Sequence, residues 1–448
     1  MKSVGVARRG AVLLALAAVV SAARADGFLA VDATSREAAA DGSPAKPFAT
    51  IQAAIDAAKP GDEIRVAKGT YVGGLVVQKK GLVLAGGFKG GGDFAASDPK
   101  ANPTVVQGTK AASALAFRNV EDARASGFTI TGGAHGVELA ACKGITLSRN
   151  VVADNGEFGK DRAGGIFLSQ TERVAILDNE IVNNHAGDDG GGIGIRRGRA
   201  CVDLRIEGNH IAGNTIPGEH GGGVFVEGTG VVAGNLVESN AACFGGGIFL
   251  NGGSLACSSN VVRNNKGIGI FGIDYSHKGN EQHYTLDHDL VYGNSAEGIA
   301  SFWASLVIRH CTVAGNAGGG FGGRDDPNMK VEIANSIFWR NGLNFKNLSC
   351  TYSLADRDLP GNGNSKGDPL FASADTNRPD FHLKSTAGRW DPAAKNGAGD
   401  WVKDDATSPA IDAGDPASDF AREPEPNGKR SDLGVYGNTP QASRSPKP

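Results

Sequence analysis

The chain has 448 residues, with 67 glycines, 18 prolines, 40% hydrophobic and 21% charged residues, and a formal net charge of −3. A glycine content about twice the average, without a Gly-X-Y period, excludes collagen, and the apolar content excludes a disordered chain. Aromatic residues make up only 6% and Met occurs twice, so the core must consist of small aliphatic side chains, which favours thin repetitive layers.

Residues 1–25 are predicted to be a secretory signal peptide. A basic start with Arg8 and Arg9 precedes a short apolar run, and Ala23 and Ala25 offer small residues for cleavage. The run is shorter than the roughly 20 residues of a membrane span, so we expect no membrane span and a secreted or periplasmic protein. Cleavage would remove four basic and no acidic residues, which changes the net charge from −3 to −7 and disfavours a nucleic-acid partner.

Residues 26–60 are predicted to form an N-terminal cap. Ile51, Ala54, Ile55 and Ala58 fall on one face of a helix. Such a face can cover the open end of a sheet stack and block pairing at its edge.

A short pattern then recurs nine times. It consists of a first residue that is usually Asn, an aliphatic residue two positions later, and usually an Asn five positions later, and copies follow at intervals of 22 to 30 residues. The last copy, which starts at Asn335, has one extra residue. The first positions are Phe128, Asn150, Asn179, Asn209, Asn235, Asn260, Asp289, Cys311 and Asn335.

Each unit also contains an aliphatic pair before the first position, and most units contain a glycine cluster before an alternating strand, as at Gly221-Gly222-Gly223. Three short strands per roughly 26-residue unit cannot bury an apolar face alone, so they must stack on their neighbours. The pattern predicts a right-handed parallel β-helix over residues 61–347, with coils about 4.8 Å apart and the asparagines in a single structural file. Residues 348–448 are predicted to form a C-terminal capping segment.

The chain resembles the right-handed β-helix proteins of the pectate-lyase-like superfamily. The motifs that carry the resemblance are 47–55, 60–62, 69–71, 86–88, 408–415 and 434–437. The superfamily includes lyases, glycosidases, esterases, epimerases and adhesins, so the resemblance implies architecture more than activity. The catalytic signatures of polygalacturonases, the main pectate lyases and pectin methylesterases are absent from the sequence.

Alignment of the coils on the aliphatic residue after the glycines predicts a column of polar side chains. Five positions before that residue stand Asp161, Asp188 and Glu219, and four positions before it stand Arg162, Asp189 and His220. Stacked carboxylates repel one another unless a cation lies among them. The column is therefore either a set of solvated loop residues or a Ca²⁺ or sugar site with Asp161, Asp188 and Glu219 as metal ligands.

Two functions remain open for this column. In a polysaccharide lyase, Ca²⁺ or Arg162 would offset the carboxylate of a uronate, and His220 or Lys160 would remove the proton. In a non-catalytic surface or carbohydrate-binding protein, the helix would be only a scaffold. In both cases we expect a monomer whose partner is a polysaccharide.

A second column is predicted to face outward on the next strand. It contains Phe167, Phe225 and Phe249, which either pack under a loop or form a stacking platform for sugar rings. Arg196, with Arg197 and Arg199, forms a basic patch that either contacts uronate carboxylates or is a solvated turn. Together with Asp189, the residues Arg196, Phe225 and Phe249 are the predicted substrate contacts.

The six cysteines are predicted to be mostly buried free thiols. Cys142 and Cys201 occupy the same place in the repeat, but a coil with Thr171 at that place separates them by about 9.6 Å. A disulfide tolerates Cα separations only up to about 7 Å.

Overall fold

The computed structural model describes residues 27–37, 39–157, 163–218, 220–274, 283–323, 329–342, 349–373, 375 and 378–446. Residues 1–25, and therefore the predicted signal peptide, lie outside this part of the chain. The regular secondary structure of the described residues is nearly all β-strand, with helices only at α1 (Ile51–Ala57) and α2 (Ala394–Gly397).

The strands of the first half are, in chain order, β1 Leu29–Val31, β2 Glu63–Ala67, β3 Gly69–Val72, β4 Leu75–Val77, β5 Val83–Gly90, β6 Asp93–Ser97, β7 Thr104–Gln107, β8 Leu115–Arg118, β9 Arg124–Ser126, β10 Phe128–Thr131, β11 Val137–Ala140, β12 Thr146–Ser148, β13 Val151–Ala153, β14 Ile166–Ser169, β15 Ala175–Leu177, β16 Glu180–Val182, β17 Ile193–Ile195, β18 Cys201–Glu207, β19 His210–Ala212 and β20 Val224–Ala233. Those of the second half are β21 Leu236–Glu238, β22 Ile248–Asn251, β23 Leu255–Ser258, β24 Val261–Arg263, β25 Ile270–Ile273, β26 His283–Asp287, β27 Leu290–Tyr292, β28 Glu297–Phe302, β29 Ser305–Arg309, β30 Thr312–Ala314, β31 Gly319–Gly323, β32 Val331–Ala334, β33 Ile337–Trp339, β34 Ser349–Thr351, β35 Leu354–Ala355, β36 Ser365–Lys366, β37 Phe371–Ser373, β38 Asp380–Leu383, β39 Arg389–Asp391 and β40 Asp400–Val402.

The strands stack into three parallel sheets that wind around one core, as in a parallel β-helix. Sheet A contains β1, β2, β5, β9, β12, β15, β18, the second half of β20, β23, β26, β29, β32 and β34. Sheet B contains β3, β7, β10, β13, β16, β19, β21, β24, β27, β30, β33, β35 and β36. Sheet C contains β4, β8, β11, β14, β17, the first half of β20, β22, β25, β28 and β31. Parallel pairing thus begins at β1 and continues past residue 347 to β36.

The predicted file of asparagines is confirmed at the turn between sheets A and B. Asn179 donates its backbone N–H and its Nδ2–H to Oδ1 of Asn209, at 2.9 and 3.0 Å. Its Nδ2 also donates to the carbonyl of Leu147 on the preceding coil, at 3.0 Å. The side chain therefore satisfies turn groups on both neighbouring coils, which is why an amide recurs at this place.

The last copy of the repeat keeps the ordinary spacing. The sequence pattern assigned its first position to Asn335 with one extra residue, but Ser336 occupies the file and accepts from the backbone N–H of Cys311 at 3.2 Å. Asn341 then stands five residues later and accepts from Asn316 at 3.1 Å. Asn335 has φ +52°, the left-handed conformation that Asn tolerates, and it fills the turn position just before the file.

The glycine clusters before sheet C have a packing reason. A Cβ at Gly223 would lie 2.7 Å from the carbonyl oxygen of Gly247 and 3.0 Å from Nδ2 of Asn240. Only glycine allows this close approach between coils. The asparagines five positions after the first file form a second file that packs against these glycines: Asn155, Asn184, Asn214, Asn240, Asn265, Asn294, Asn316 and Asn341.

The N-terminal end of the stack is covered by α1. Ile51, Ala54 and Ile55 are buried, and Oγ1 of Thr50 accepts the N–H of Ala53 at 3.2 Å as the N-cap. Ala58 is also buried, so the predicted helical face is the one that packs.

The C-terminal segment packs along the outer face of sheet B. Its two antiparallel hairpins, β37–β38 and β39–β40, are joined by irregular chain. Leu290 and Tyr292 of the coils form a hydrophobic cluster with Phe371 and Phe381 of this segment. The backbone also connects the two parts, because Gly434 donates to the carbonyl of Asn335 at 2.8 Å.

All six cysteines are free, as predicted. Five are buried, and Cys243 is exposed. The place between Cys142 and Cys201 is filled by Thr171, whose Oγ1 lies 3.1 Å from Sγ of Cys201.

Candidate functional site

The predicted polar column falls on the turns that lead into sheet C. Asp188, Asp189 and His220 are described, whereas Lys160, Asp161, Arg162 and Glu219 lie outside the described residues. The structure therefore describes predicted residues on two of the three coils, at Asp188 and Asp189 on one and at His220 on the next.

Asp189, Arg197 and His220 form a compact polar triad on the outer side of sheet C. Asp189 is only 4% exposed, and its Oδ1 accepts a hydrogen bond from Nη2 of Arg197 at 2.6 Å. Nε of Arg197 contacts the second carboxylate oxygen, so Arg197 and Asp189 form a bidentate ion pair. Nδ1 of His220 lies 3.2 Å from Oδ1 of Asp189. Charge-assisted contacts of this kind orient a site precisely.

Nδ1 of His220 faces both other members of the triad. Nη2 of Arg197 lies 2.5 Å from Nδ1 of His220. Nδ1 accepts from the guanidinium when the ring proton is on Nε2, and it donates to Oδ1 of Asp189, at 3.2 Å, when the proton is on Nδ1. Nε2 is then a donor in the first tautomer and an acceptor in the second, so the role of His220 as a base stays a prediction.

Phe225 and Phe249 support this triad from below. Both are fully buried, their rings stack with centroids 5.2 Å apart, and they belong to a hydrophobic cluster separate from the main core. The ring of His220 lies edge-on to Phe249 at 4.6 Å, and the guanidinium of Arg197 lies 6.0 Å from the centre of Phe225. The prediction that these two rings form a sugar platform is wrong, because the triad covers them.

The exposed aromatic ring of this face is Phe244. It is 44% exposed and stacks on His220, with ring centroids 5.5 Å apart and an interplanar angle of 21°. Phe244 stands four residues before Ile248, as His220 stands four before Val224. The register that located Asp189 and His220 could therefore have located Phe244, which the sequence analysis missed.

An arginine turn borders the triad. Arg199 donates its backbone N–H to the carbonyl of Arg196 at 2.9 Å, and the side chains of both residues are exposed. No ion pair joins Arg196 or Arg199 to an acidic residue within the described ranges. Among the described residues, Arg197 is the arginine of this turn that forms an ion pair, with Asp189. The predicted contact residue Arg196 thus lies beside the triad, without an acidic partner in the part of the chain that the structure describes.

Glu227 adds an acid on the other side of this turn. Its carboxylate accepts from the backbone N–H of Gly198 at 2.8 Å and from Nδ2 of Asn251 at 3.1 Å. Burial raises the pKa of Glu227, and the charge of Asp189 raises it further.

The predicted Ca²⁺ site is not assembled from described residues. Asp188 is half-buried, and its predicted partners Asp161 and Glu219 lie outside the described ranges. Two other groups of at least three potential ligands are found in the described part of the chain: Asp287 with His288 and His310, and Asp412 with Glu423 and Asp432.

The first of these groups fastens the C-terminal segment to the coils. Nε2 of His288 donates to the carbonyl of Gly437 at 2.8 Å, and its Nδ1 lies 2.9 Å from Asp287. Although burial opposes a charged ring, the Asp287 carboxylate raises the pKa of His288. The ring of His310 stacks on His288 at 4.8 Å. His288 is therefore already bonded at both nitrogens, which favours a structural role.

Comparisons with known proteins add the following. Residues 34–236 match the family described as a protein of unknown function (DUF1565), and residues 238–414 match the family described as disaggregatase related. No curated protein matches the sequence. Among solved structures, the chain is similar to the pectate lyase Pel9A, with 14% identity and a TM-score of 0.48 over 92% of this chain and 97% of that one.

Two further structures are similar at a lower level. The alginate lyase AlyGC of family PL6 matches with 15% identity and a TM-score of 0.46 over 78% of this chain and 54% of that one. The tailspike gp61 of Pseudomonas phage phi297 matches with 10% identity and a TM-score of 0.32 over 72% and 74%. In the described residues, no helix has the length and apolar character needed to cross a membrane.

Proposed function

We propose that the outer face of sheet C around the arginine turn binds an acidic polysaccharide. The observation that carries the proposal is a chain of contacts over consecutive coils. Arg197 contacts His220, and His220 stacks on the exposed ring of Phe244. Arg196 and Arg199 beside them are exposed, and the described residues provide no acidic partner for either.

Uronate polymers match this chemistry. Their carboxylates are ligands for the unpaired guanidinium groups of Arg196 and Arg199. The flat, apolar face of a sugar ring can pack against Phe244. Nε2 of His220 would donate to a sugar hydroxyl. Because coils repeat about every 4.8 Å, a linear polymer can follow the face over several coils.

The experiment is a binding series with soluble polymers of different charge. Isothermal titration of the purified protein with polygalacturonate, alginate and neutral dextran should give binding to the acidic polymers alone. Phe244→Ala should weaken that binding about tenfold. Val202→Ala, which truncates a side chain 53% exposed on sheet A, is the matched control and should bind like the wild type. Equal binding of dextran, or none of any polymer, would reject the proposal.

A second candidate, a uronate lyase at the same face, is favoured by the contact between Asp189 and His220. If the ring proton moves to Nδ1 and is donated to Asp189, Nε2 becomes a base that can remove a proton from the sugar. Lys160 and Arg162, which lie outside the described residues, remain candidate base and charge-neutralising residues. Ca²⁺ bound by Asp161, Asp188 and Glu219 would offset the charge of the substrate carboxylate.

Product formation distinguishes the two functions. A lyase would release unsaturated oligosaccharides from polygalacturonate or alginate, and His220→Gln, Asp188→Asn or chelator would reduce that release. A binding protein releases none under any of these conditions. His220→Gln keeps a donor group, so it should preserve most of the binding.

A further inference from the structure

Three carboxylates converge within the C-terminal segment, away from the sheet C face. Asp412, Glu423 and Asp432 each place a carboxylate oxygen within 4.8 Å of the other two. They come from separate stretches of irregular chain that are 9 to 20 residues apart in sequence. The segment thus brings three acids together without a helix or strand to hold them.

Backbone hydrogen bonds fix the two buried carboxylates. Oε1 of Glu423 accepts the N–H groups of Asp432 and Asn438, both at 2.7 Å. Asp432 accepts from the backbone of Asp412 and of Ser443, each at 3.0 Å. All four donors are backbone N–H groups, two of them from Asp412 and Asp432 themselves and two from Asn438 and Ser443.

One oxygen of the cluster lacks a partner. Oε2 of Glu423 is buried and has no hydrogen bond in the described structure. Glu423 is 6% exposed and Asp432 is 1% exposed. A buried carboxylate oxygen without a donor is costly.

The described residues provide no counter-charge for this cluster. Within the described residues, no Lys, Arg or His forms an ion pair with Asp412, Glu423 or Asp432. Arg430, two residues before Asp432, instead donates to the carbonyls of Ala413 and Gly414. Burial raises the pKa of Glu423 to about 7, and the charge of Asp412 adds to the effect. Burial and the charge of Glu423 raise the pKa of Asp432.

We propose that Asp412, Glu423 and Asp432 bind a Ca²⁺ ion that holds the C-terminal segment together. The donors are all oxygen, which suits a hard cation and not zinc, which prefers nitrogen and sulfur. Ligands at 2.3 to 2.6 Å from one Ca²⁺ can be up to about 5 Å apart, and these oxygens lie within 4.8 Å of one another. Mg²⁺ at 2.0 to 2.1 Å needs a tighter cage. The ion would take up the free oxygen of Glu423 and balance the buried charge.

The test is thermal unfolding of the protein with Ca²⁺ or with chelator. The wild type should unfold several degrees higher in Ca²⁺ than in EGTA, and Mg²⁺ should give a smaller shift. Glu423→Gln should abolish the shift. Glu425→Gln, an exposed glutamate of the same segment, should keep it.

Two further variants keep the test decisive. Asp412→Asn retains an oxygen that can accept from Gly428 and Ser445, which Asp412 bonds now, so it should fold and lose most of the Ca²⁺ shift. Asp188→Asn should keep the shift, which separates this site from any site on the sheet C face. The proposal is overturned if Ca²⁺ does not raise the wild-type Tm, or if Glu423→Gln and Asp412→Asn respond as the wild type does.

Discussion

Asn260 donates both its backbone N–H and its Nδ2–H to one oxygen of Asp289, Oδ1, at 2.8 and 2.9 Å. Asp289 therefore occupies the place of an asparagine in the file. In the preceding coils, the asparagine at this position of the file donates its Nδ2–H to a backbone carbonyl, as Asn260 does to that of Val232 at 2.8 Å. Asp289 has Oδ2 instead, which is buried and has no partner among the described residues. A protonated Asp289 can donate where an ionised one cannot.

We predict that Asp289→Asn stabilises the protein above neutral pH. Burial raises the pKa of Asp289 from 3.8 to about 7, against the opposing hydrogen bonds from Asn260. A raised folded pKa means that the folded state binds the proton more tightly. The free energy of unfolding should thus fall as the pH rises from about 4 to about 7, by roughly 4 kcal/mol for this group alone at about 1.36 kcal/mol per unit.

Urea unfolding of wild type and variant across this pH range measures the effect. His288 and Asp287 lie nearby and also titrate, so the difference between the two proteins, not the wild-type curve, isolates Asp289. The variant should gain most at pH 8 and little at pH 4. A gain that does not change with pH would show that Asp289 is ionised throughout.

Removal of one amide from the second file should destabilise the stack. Asn214 donates to Ile181 and Asn240 at 2.9 Å each, and it accepts two bonds from Asn184 at 3.0 Å. Asn214→Ala leaves several buried groups unpaired, at about 1 to 3 kcal/mol each. We expect a loss of at least about 3 kcal/mol in urea unfolding. Glu180→Ala, on the exposed side of sheet B, should change stability by less than about 0.5 kcal/mol.

The thiols should react in two classes. Cys243 is exposed, so the native protein should consume one equivalent of a thiol reagent quickly. Burial raises the pKa of Cys257 and Cys311 well above 9.0, so these thiols should react only after denaturation. Unreduced, denatured protein should give six free thiols, and a value of two or fewer would contradict the structure.

The fold could be predicted because each coil repeats the same constraint. The asparagines form hydrogen bonds with the neighbouring coil, and the aliphatic residue two positions on and the glycines pack against it. The period of the sequence is therefore enough to predict the architecture. Ser336 escaped prediction because a hydroxyl can replace the amide at that turn, while Asn335 beside it matched the pattern by residue type. The left-handed φ of Asn335 explains why an asparagine stands there. The spacing of the repeat does not reveal this backbone conformation.

The candidate site was less predictable, since its loops break the period. The sequence register brought Asp189 and His220 together, because both precede the glycines by the same number of residues. It could not reveal that the guanidinium of Arg197 contacts both the carboxylate of Asp189 and Nδ1 of His220. Nor could it reveal that Asp412, Glu423 and Asp432 meet, because irregular chain connects them and no repeat relates them.

The most direct test of the proposed function removes the two unpaired guanidinium groups. The double variant Arg196→Gln, Arg199→Gln should bind polygalacturonate at least about tenfold more weakly than the wild type, equivalent to about 1.4 kcal/mol. Arg36→Gln, Arg124→Gln removes the same charge from exposed positions outside sheet C, so it should bind like the wild type. If both double variants bind equally, whether strongly or weakly, the arginine turn is not the polysaccharide site.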